Sequence, residues 1–342
     1  MKIIVVLLLL MVSLYFSSFF VTETPDNSAL PVLNIDTHSI SVSGVSSGGY
    51  MANQYHVAHS RYIIGSGIIS AGPYNCAANS TFTAMSRCMG YRSEWFGINL
   101  DDTTVNFTKK LASKKLIDDP SHMENDKVWI FHGMRDEIIK KPITDDLVEY
   151  YKNFIDETNL VYIDDIDAPH GMITDQSNDP CGSSAHPWVN DCDFDSAGAL
   201  LKHIYGNLDQ RVTADGITTR FSQSDFTDNA AHSGLAEHGY VYIPNACDQG
   251  EKCRLHIAFH GCRQGESFVD TKYVKDGGYN EWAEANKIII LYPQIADSYI
   301  PFNPNGCWDW WGYTDEHYLD HQSLQMTQIQ NMIKKISGTK AL

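Results

Sequence analysis

Ser39-Ile40-Ser41-Val42-Ser43-Gly44-Val45-Ser46-Ser47-Gly48-Gly49-Tyr50, near the start of a 342-residue chain, carries a short β-type run into the pentapeptide G-x-S-x-G. That pentapeptide marks a nucleophile elbow, a strained strand-to-helix turn that lifts its central serine above a sheet. Glycines flank the serine because bulk at either position would meet the neighbouring strand or helix. Ser46 fits the centre, since Ser47 would need a glycine where Val45 stands. The pattern alone is common, so its weight depends on what surrounds it.

Working outward, residues 50–59 are expected to form the helix that follows a nucleophile. Residues 62–71 have a buried-strand pattern, and residues 127–131 form another strand, closed by His132-Gly133. A helix is expected over 145–158, a strand over 160–163 leading into the loop of His170, and a helix over 197–205. This alternation predicts a mostly parallel, doubly wound α/β sheet. A second block adds strands at 239–244, 255–259 and 287–292, a helix over 278–286, and a terminal helix over 322–336. The last has Leu324, Met326, Ile329, Met332, Ile333 and Ile336 at helical spacing. Residues 206–239 are polar and weakly patterned, the expected seam between the blocks.

A serine hydroxyl needs a base, and the base needs an orienting group. In α/β-hydrolases the chain order is serine, then acid, then histidine. The strand 127–131 leads into His132-Gly133-Met134-Arg135-Asp136-Glu137-Ile138-Ile139, and the next strand leads into Asp167-Ala168-Pro169-His170-Gly171. An acid just past one strand end and a histidine just past the next give Ser46, Asp136 and His170 as the expected triad. Glu137 and Asp145 are the rival acids. Asp175 is close enough to His170 to support it, or is a turn residue.

A developing oxyanion needs at least two preset backbone donors. One is the amide of Ser47, after the nucleophile. The other usually comes from a His-Gly turn upstream of the serine. Nothing upstream qualifies here; the fitting turn is Phe259-His260-Gly261-Cys262-Arg263-Gln264, far downstream. Moving the block from about residue 210 to the end in front of residue 39 restores the ordinary order. The fold expected is therefore a circularly permuted α/β-hydrolase, feasible when chain ends lie close together.

The formal charge of −17 argues against nucleic acid or an anionic membrane surface as partner. Met1-Lys2, an apolar run and small polar residues make residues 1–22 a secretory signal peptide, with an uncleaved anchor as the competing reading. No second run of that kind follows, so residues 23–342 are expected as one exported catalytic domain with no membrane span of its own. Eight cysteines agree with an oxidising compartment. Local closure gives Cys76–Cys88, Cys181–Cys192 and Cys247–Cys253, each within a loop, although sequence alone leaves connectivity open. Asn79-Ser80-Thr81 and Asn106-Phe107-Thr108 are glycosylation sequons. Asp191-Cys192-Asp193-Phe194-Asp195 begins like a calcium loop but has Ser196 and Lys202 where glycine and glutamate belong. His256 and His260 share a zinc-helix spacing but sit on a strand pattern without the required glutamate. No metal and no organic cofactor is expected.

Together these motifs resemble the poly(3-hydroxybutyrate) depolymerase family, specifically its single-domain, circularly permuted members. The resemblance covers nearly the whole mature chain. It rests on Ser43 to Ala52, on Ala71-Gly72-Pro73-Tyr74-Asn75-Cys76, and on Cys192-Asp193-Phe194-Asp195-Ser196-Ala197-Gly198-Ala199. It continues in His260-Gly261-Cys262-Arg263-Gln264, Ile289-Ile290-Leu291-Tyr292-Pro293-Gln294 and Asn305-Gly306-Cys307-Trp308-Asp309-Trp310. It implies Ser46, Asp136 and His170 as triad, the Ser47 and Cys262 amides as oxyanion donors, Trp310 against a bound ester chain, and a Cys262–Cys307 bridge. One exposed stacking residue is expected among Trp308, Trp310 and Trp311. Two departures bear on substrate preference: Met172-Ile173 follows Gly171 where the family often has proline before Thr-Asp, and the stretch from Gln294 to Asn303 is short. The function expected is an exported serine esterase acting on 3-hydroxyalkanoate polyester or its oligomers. Soluble or feruloyl-type esters are the second reading, since no polymer-adsorption module or Ser/Thr-rich linker follows. An inactive binding protein of the same fold is the third.

Overall fold

The computed structural model describes residues 29–90, 100–182, 184–227 and 230–340. The segment read as a signal peptide or anchor lies outside the described residues. Among the described residues no helix is long and apolar enough to cross a membrane.

The elbow strand β1 (Ile35–Val45) runs straight into helix α1 (Ser47–Ala58), with only Ser46 between them. The helix therefore starts earlier than expected. Strand β2 (Ile63–Ile69), helix α2 (Leu100–Ser113), β3 (Lys127–Phe131), helix α3 (Lys141–Tyr151) and β4 (Leu160–Ile163) follow. Helix α3 starts with Pro142 in its first turn and ends at Tyr151, a frame earlier than the expected 145–158. Beyond it lie the short strands β5 (Met172–Thr174) and β6 (Val189–Asp191), then helix α4 (Ser196–Tyr205). The chain continues through β7 (Ile217–Ser222), β8 (His238–Ile243), β9 (Cys253–Phe259), helix α5 (Tyr279–Asn286), β10 (Ile288–Tyr292) and helix α6 (Leu324–Ser337).

Both sequence blocks enter one eight-stranded sheet, ordered β4-β3-β2-β1-β9-β10-β8-β7. All ladders are parallel except those of β8, which runs against β10 and β7. Helices cover both faces, as a parallel sheet requires. One core holds Ile40, Val42, Ile257 and Ile289, and the opposite one holds Val45, Ile69, Ala258 and Ile290. The region expected as a structureless seam contains β7, an edge strand in which only Phe221 is fully buried. Such a strand carries too little apolar alternation to announce itself.

Started at β7, the chain would read β7, β8, β9, β10, then β1 to β4, with the His-Gly turn ahead of the serine strand. That is the permutation in physical form. The first and last stretches of the described chain also meet: the Leu33 amide donates to the Ile336 carbonyl at 2.7 Å.

Buried serines in the central strand need partners. Ser41 and Ser43 find them in His256 of the adjacent β9, at 2.6 Å to Nδ1 and 2.7 Å to Nε2. Burial depresses the His256 pKa to about 3, so the ring serves as a neutral bridge between the two hydroxyls.

Candidate active site

Ser46 holds φ 58° and ψ −121°, a conformation that non-glycine residues rarely adopt. The flanking glycines show how it is enforced. A Cβ on Gly44 would lie 2.2 Å from the Gly48 carbonyl oxygen, and one on Gly48 would lie 2.2 Å from that of Phe259 at the end of β9. The Ser46 amide donates to Ile69 at 2.9 Å, anchoring the elbow to β2. As the first helical residue, Ser47 has an amide with no intrahelical acceptor.

Asp136 and His170 lie at the ends of neighbouring strands. The Met134 and Arg135 amides donate to Ile166 and Ala168 at 2.9 and 3.0 Å, stitching the acid's turn to the histidine's loop. Asp136 Oδ1 accepts from the amides of Ile138 and Ile139 at 2.9 and 3.0 Å, which leaves Oδ2 for His170 Nδ1 at 2.8 Å. Both residues are buried. Burial pushes the Asp136 pKa up. The His170 charge and hydrogen bonds from His170, Ser70 and Ile139 outweigh it and hold the carboxyl below its usual value. With Nδ1 engaged, Nε2 is the ring nitrogen left for a substrate or nucleophile, and His170 lines the same cavity as Ser46. The rival acids lie elsewhere: Glu137 pairs with Lys140, and Asp145 with Lys141 and the Tyr162 hydroxyl. Asp175 is held by Arg211 at 2.7 and 2.8 Å.

The His-Gly turn reaches the elbow from β9; a Cβ on Gly261 would lie 3.3 Å from Ser46 Cβ. Its peptide planes are tightly fixed. His260 Nε2 accepts from the Ile295 amide at 3.1 Å, so Nδ1 carries the proton and donates to the Gly261 carbonyl at 2.7 Å. Gln264 Oε1 accepts from the Gly261 amide at 2.8 Å. Burial lowers the His260 pKa to about 4, which keeps this ring neutral. With the Gly261 carbonyl drawn to His260, the amide of Cys262 points the other way across the trans peptide. It has no acceptor among the described residues.

Disulfides join Cys262–Cys307, Cys76–Cys88, Cys181–Cys192 and Cys247–Cys253. The first ties the His-Gly turn to the tryptophan loop. The cavity above Ser46 has a volume of about 690 Å³ and is lined by Tyr50, Met85, Met89, Ile138, Ile139, Trp188, Phe302, Trp310 and Trp311 among others. Trp308 is fully buried, and Trp310 is only 8% exposed. None of the three tryptophans is therefore the exposed stacking residue expected among them, Trp311 being half-buried. Trp310 lines the cavity with one face laid on Tyr50, ring centroids 4.4 Å apart and planes 10° off parallel. Trp311, half-buried, stands edge-on to it at 5.4 Å. Tyr50 was missed as a wall residue, although its place one turn past Ser46 puts it on the face turned toward the elbow.

A serine elbow, a histidine–carboxylate pair and a preset amide turn on a permuted, mostly parallel sheet define an α/β-hydrolase-type protein. No family model matches the chain. It is 40% identical over 315 residues to poly(3-hydroxybutyrate) depolymerase of Delftia acidovorans, covering 90% of this chain and 62% of that relative's length. It is 35% identical over 327 residues to polyhydroxybutyrate depolymerase of Talaromyces funiculosus, covering 90% of this chain and 92% of the relative. Among solved structures, PHB depolymerase from Penicillium funiculosum matches with a TM-score of 0.82 at 32% identity, covering 91% of this chain and 99% of that one. A PHB depolymerase with a serine-to-alanine change, complexed with an R3HB trimer, matches with the same score, identity and coverage. The chain belongs to the polyhydroxybutyrate depolymerase family.

Proposed function

We propose that this chain is an exported serine esterase that hydrolyses poly(3-hydroxybutyrate)-type polyester or its oligomers. The observation that carries the reading is a buried Asp136–His170 hydrogen bond at the same apolar cavity as a strained Ser46. The R3HB trimer bound by a relative indicates the substrate class. Ser46 Oγ attacks the ester carbonyl as His170 Nε2 takes its proton, and Asp136 holds the ring and stabilises its charged form. The Ser47 and Cys262 amides receive the oxyanion. The protonated histidine returns its proton to the departing hydroxyl. Water, deprotonated by the same histidine, then cleaves the acyl-enzyme. No step calls for a metal or organic cofactor.

Exposed side chains at the cavity mouth favour an insoluble ester. Met85 and Phe302 line the cavity and are exposed, and Tyr299 and Ile300 extend the loop of Phe302, Ile300 being 90% exposed. An apolar rim of this kind suits contact with a solid surface. The four disulfides support export to an oxidising compartment.

The test is a panel of polyester film, hydroxybutyrate oligomers and feruloyl esters, with Ser46→Ala as control. Hydrolysis of film and oligomers, abolished in Ser46→Ala together with fluorophosphonate labelling, is the expected result. Turnover retained by Ser46→Ala overturns the triad, and exclusive turnover of feruloyl esters overturns the substrate class.

A further inference from the structure

Asp309 is a buried carboxylate, 1% exposed, with no cationic partner among the described residues. A charge so placed must be fully hydrogen-bonded or be strongly disfavoured. Its partners all come from the next five residues. Oδ1 accepts from the amides of Trp311, Gly312 and Tyr313 at 3.2, 2.7 and 3.0 Å. Oδ2 accepts from the Thr314 amide at 2.8 Å and its hydroxyl at 2.6 Å. Successive amides converging on one anion form a nest, and the loop is wound around the carboxylate. Gly312 supplies the left-handed residue the winding needs, at φ +84°.

The nest is itself anchored. Gln54 of α1, the helix that begins beside Ser46, donates to the Asp309 carbonyl at 2.9 Å, and the Asp309 amide donates to Gln325 of α6 at 2.9 Å. The residues carried on the wound loop are Trp310 and Trp311, which line the cavity. None of the bonds made by Asp309 involves Ser46, Asp136 or His170.

We propose that Asp309 is a positioning residue for substrate length: its carboxylate holds Trp310 and Trp311 as a wall for the part of the ester chain remote from the scissile bond. This rests on the esterase reading of the Ser46 cavity. An amide cannot replace the carboxylate. In Asp309→Asn the NH₂ group would face either the three amides at Oδ1 or the Thr314 amide and hydroxyl at Oδ2, donor against donor. The loop would loosen and the wall would lose its place, while short esters that end before the tryptophans would react as before.

The experiment uses the full chain with its disulfides intact and compares Asp309→Asn, Thr314→Val and Trp311→Ala on an R3HB trimer and on p-nitrophenyl acetate. For Asp309→Asn, kcat/KM on the trimer should fall about tenfold, mainly through KM, with p-nitrophenyl acetate changed by no more than about twofold. Thr314→Val should show the same split more weakly, and it carries the test if Asp309→Asn does not fold. Adding Asp309→Asn to Trp311→Ala should cost less than it does alone, because the two act through one wall. Tryptophan fluorescence titration of the Ser46→Ala background with the trimer should show a Kd about tenfold weaker with Asp309→Asn. Parallel loss on both substrates, an unchanged trimer Kd, or no trimer binding in the Asp309-containing protein overturns the proposal. Ser46→Ala that still turns over p-nitrophenyl acetate overturns the esterase reading instead, and the Kd comparison then still decides the role of Asp309.

Discussion

Two buried aspartates support the cavity, and their partners differ in kind. Asp136 divides its oxygens among two loop amides, the Ser70 hydroxyl and an imidazole; Asp309 gives both oxygens to amides and one hydroxyl, with no ring among them. Burial raises the pKa of each. Around Asp136 the His170 charge and hydrogen bonds reverse that effect, whereas around Asp309 burial prevails over the donors and the pKa stays above its usual value. The difference is the neighbouring ring. A carboxylate beside a group that gains charge during reaction stabilises that charge, while one wrapped in amides fixes a shape.

The comparison can be broken at several points. The largest expected effect is that of Asp136→Asn: kcat should fall on the order of ten-thousandfold on every ester regardless of length, with the fold intact by circular dichroism. A loss confined to the R3HB trimer would place Asp136 with Asp309 and dissolve the distinction.

Acid should separate neutral from charged buried groups next. His59, His256 and His260 have folded pKa values of about 3, 3 and 4 through burial, against 6.5 when exposed. As pH falls below 6.5 the unfolded chain binds protons that the folded one refuses. Stability is therefore full above 6.5 and lost on descending toward about 3 for His59 and His256 and about 4 for His260, by up to about 2 kcal/mol per histidine at pH 5. A thermal-melt series from pH 7 to 4.5 that stays flat would contradict the neutral bridging role of His256. The Asp136 contribution has a lower window, present above its unfolded value of 3.8 and lost as pH falls through its depressed folded value. Asp309, raised on folding, takes up its proton before the unfolded chain does, so its protonation favours the fold on the way down to that value. In melts extended to lower pH, Asp136→Asn should approach the parent protein only below about pH 3.8.

The smallest effect is that of Thr314→Val, which removes a single hydroxyl from the carboxylate nest. Denaturant titration should show a loss of about 1–2 kcal/mol. A loss near zero would mean that the nest holds without its hydroxyl donor.

The sequence was informative where one residue type alone satisfies the geometry. Gly44 and Gly48 are required because carbonyl oxygens occupy the space of any Cβ, and that constraint shows in the pentapeptide. Continuous apolar runs such as Ile288–Tyr292 disclose buried parallel strands. β7 stayed hidden because an edge strand needs little apolar surface, and α3 was misplaced because Pro142, a start signal, preceded the apolar periodicity. Trp310 could be named from its motif, but its exposure could not, since Tyr50, which covers it, lies on a distant helix. Asp309 was legible as part of a Trp-Asp-Trp string, whereas the convergence of its donors is a property of loop winding.

The hydrogen bond between Leu33 and Ile336 has an engineering consequence. Since the two extremities of the fold already touch, a short linker between them, with a new opening in the exposed stretch 206–216, should yield a protein whose gene order matches unpermuted relatives of its fold class. Evolution and protein engineering would then have reached one sheet from two reading frames of the same circle, and the position of the elbow along the chain becomes a matter of where that circle was cut.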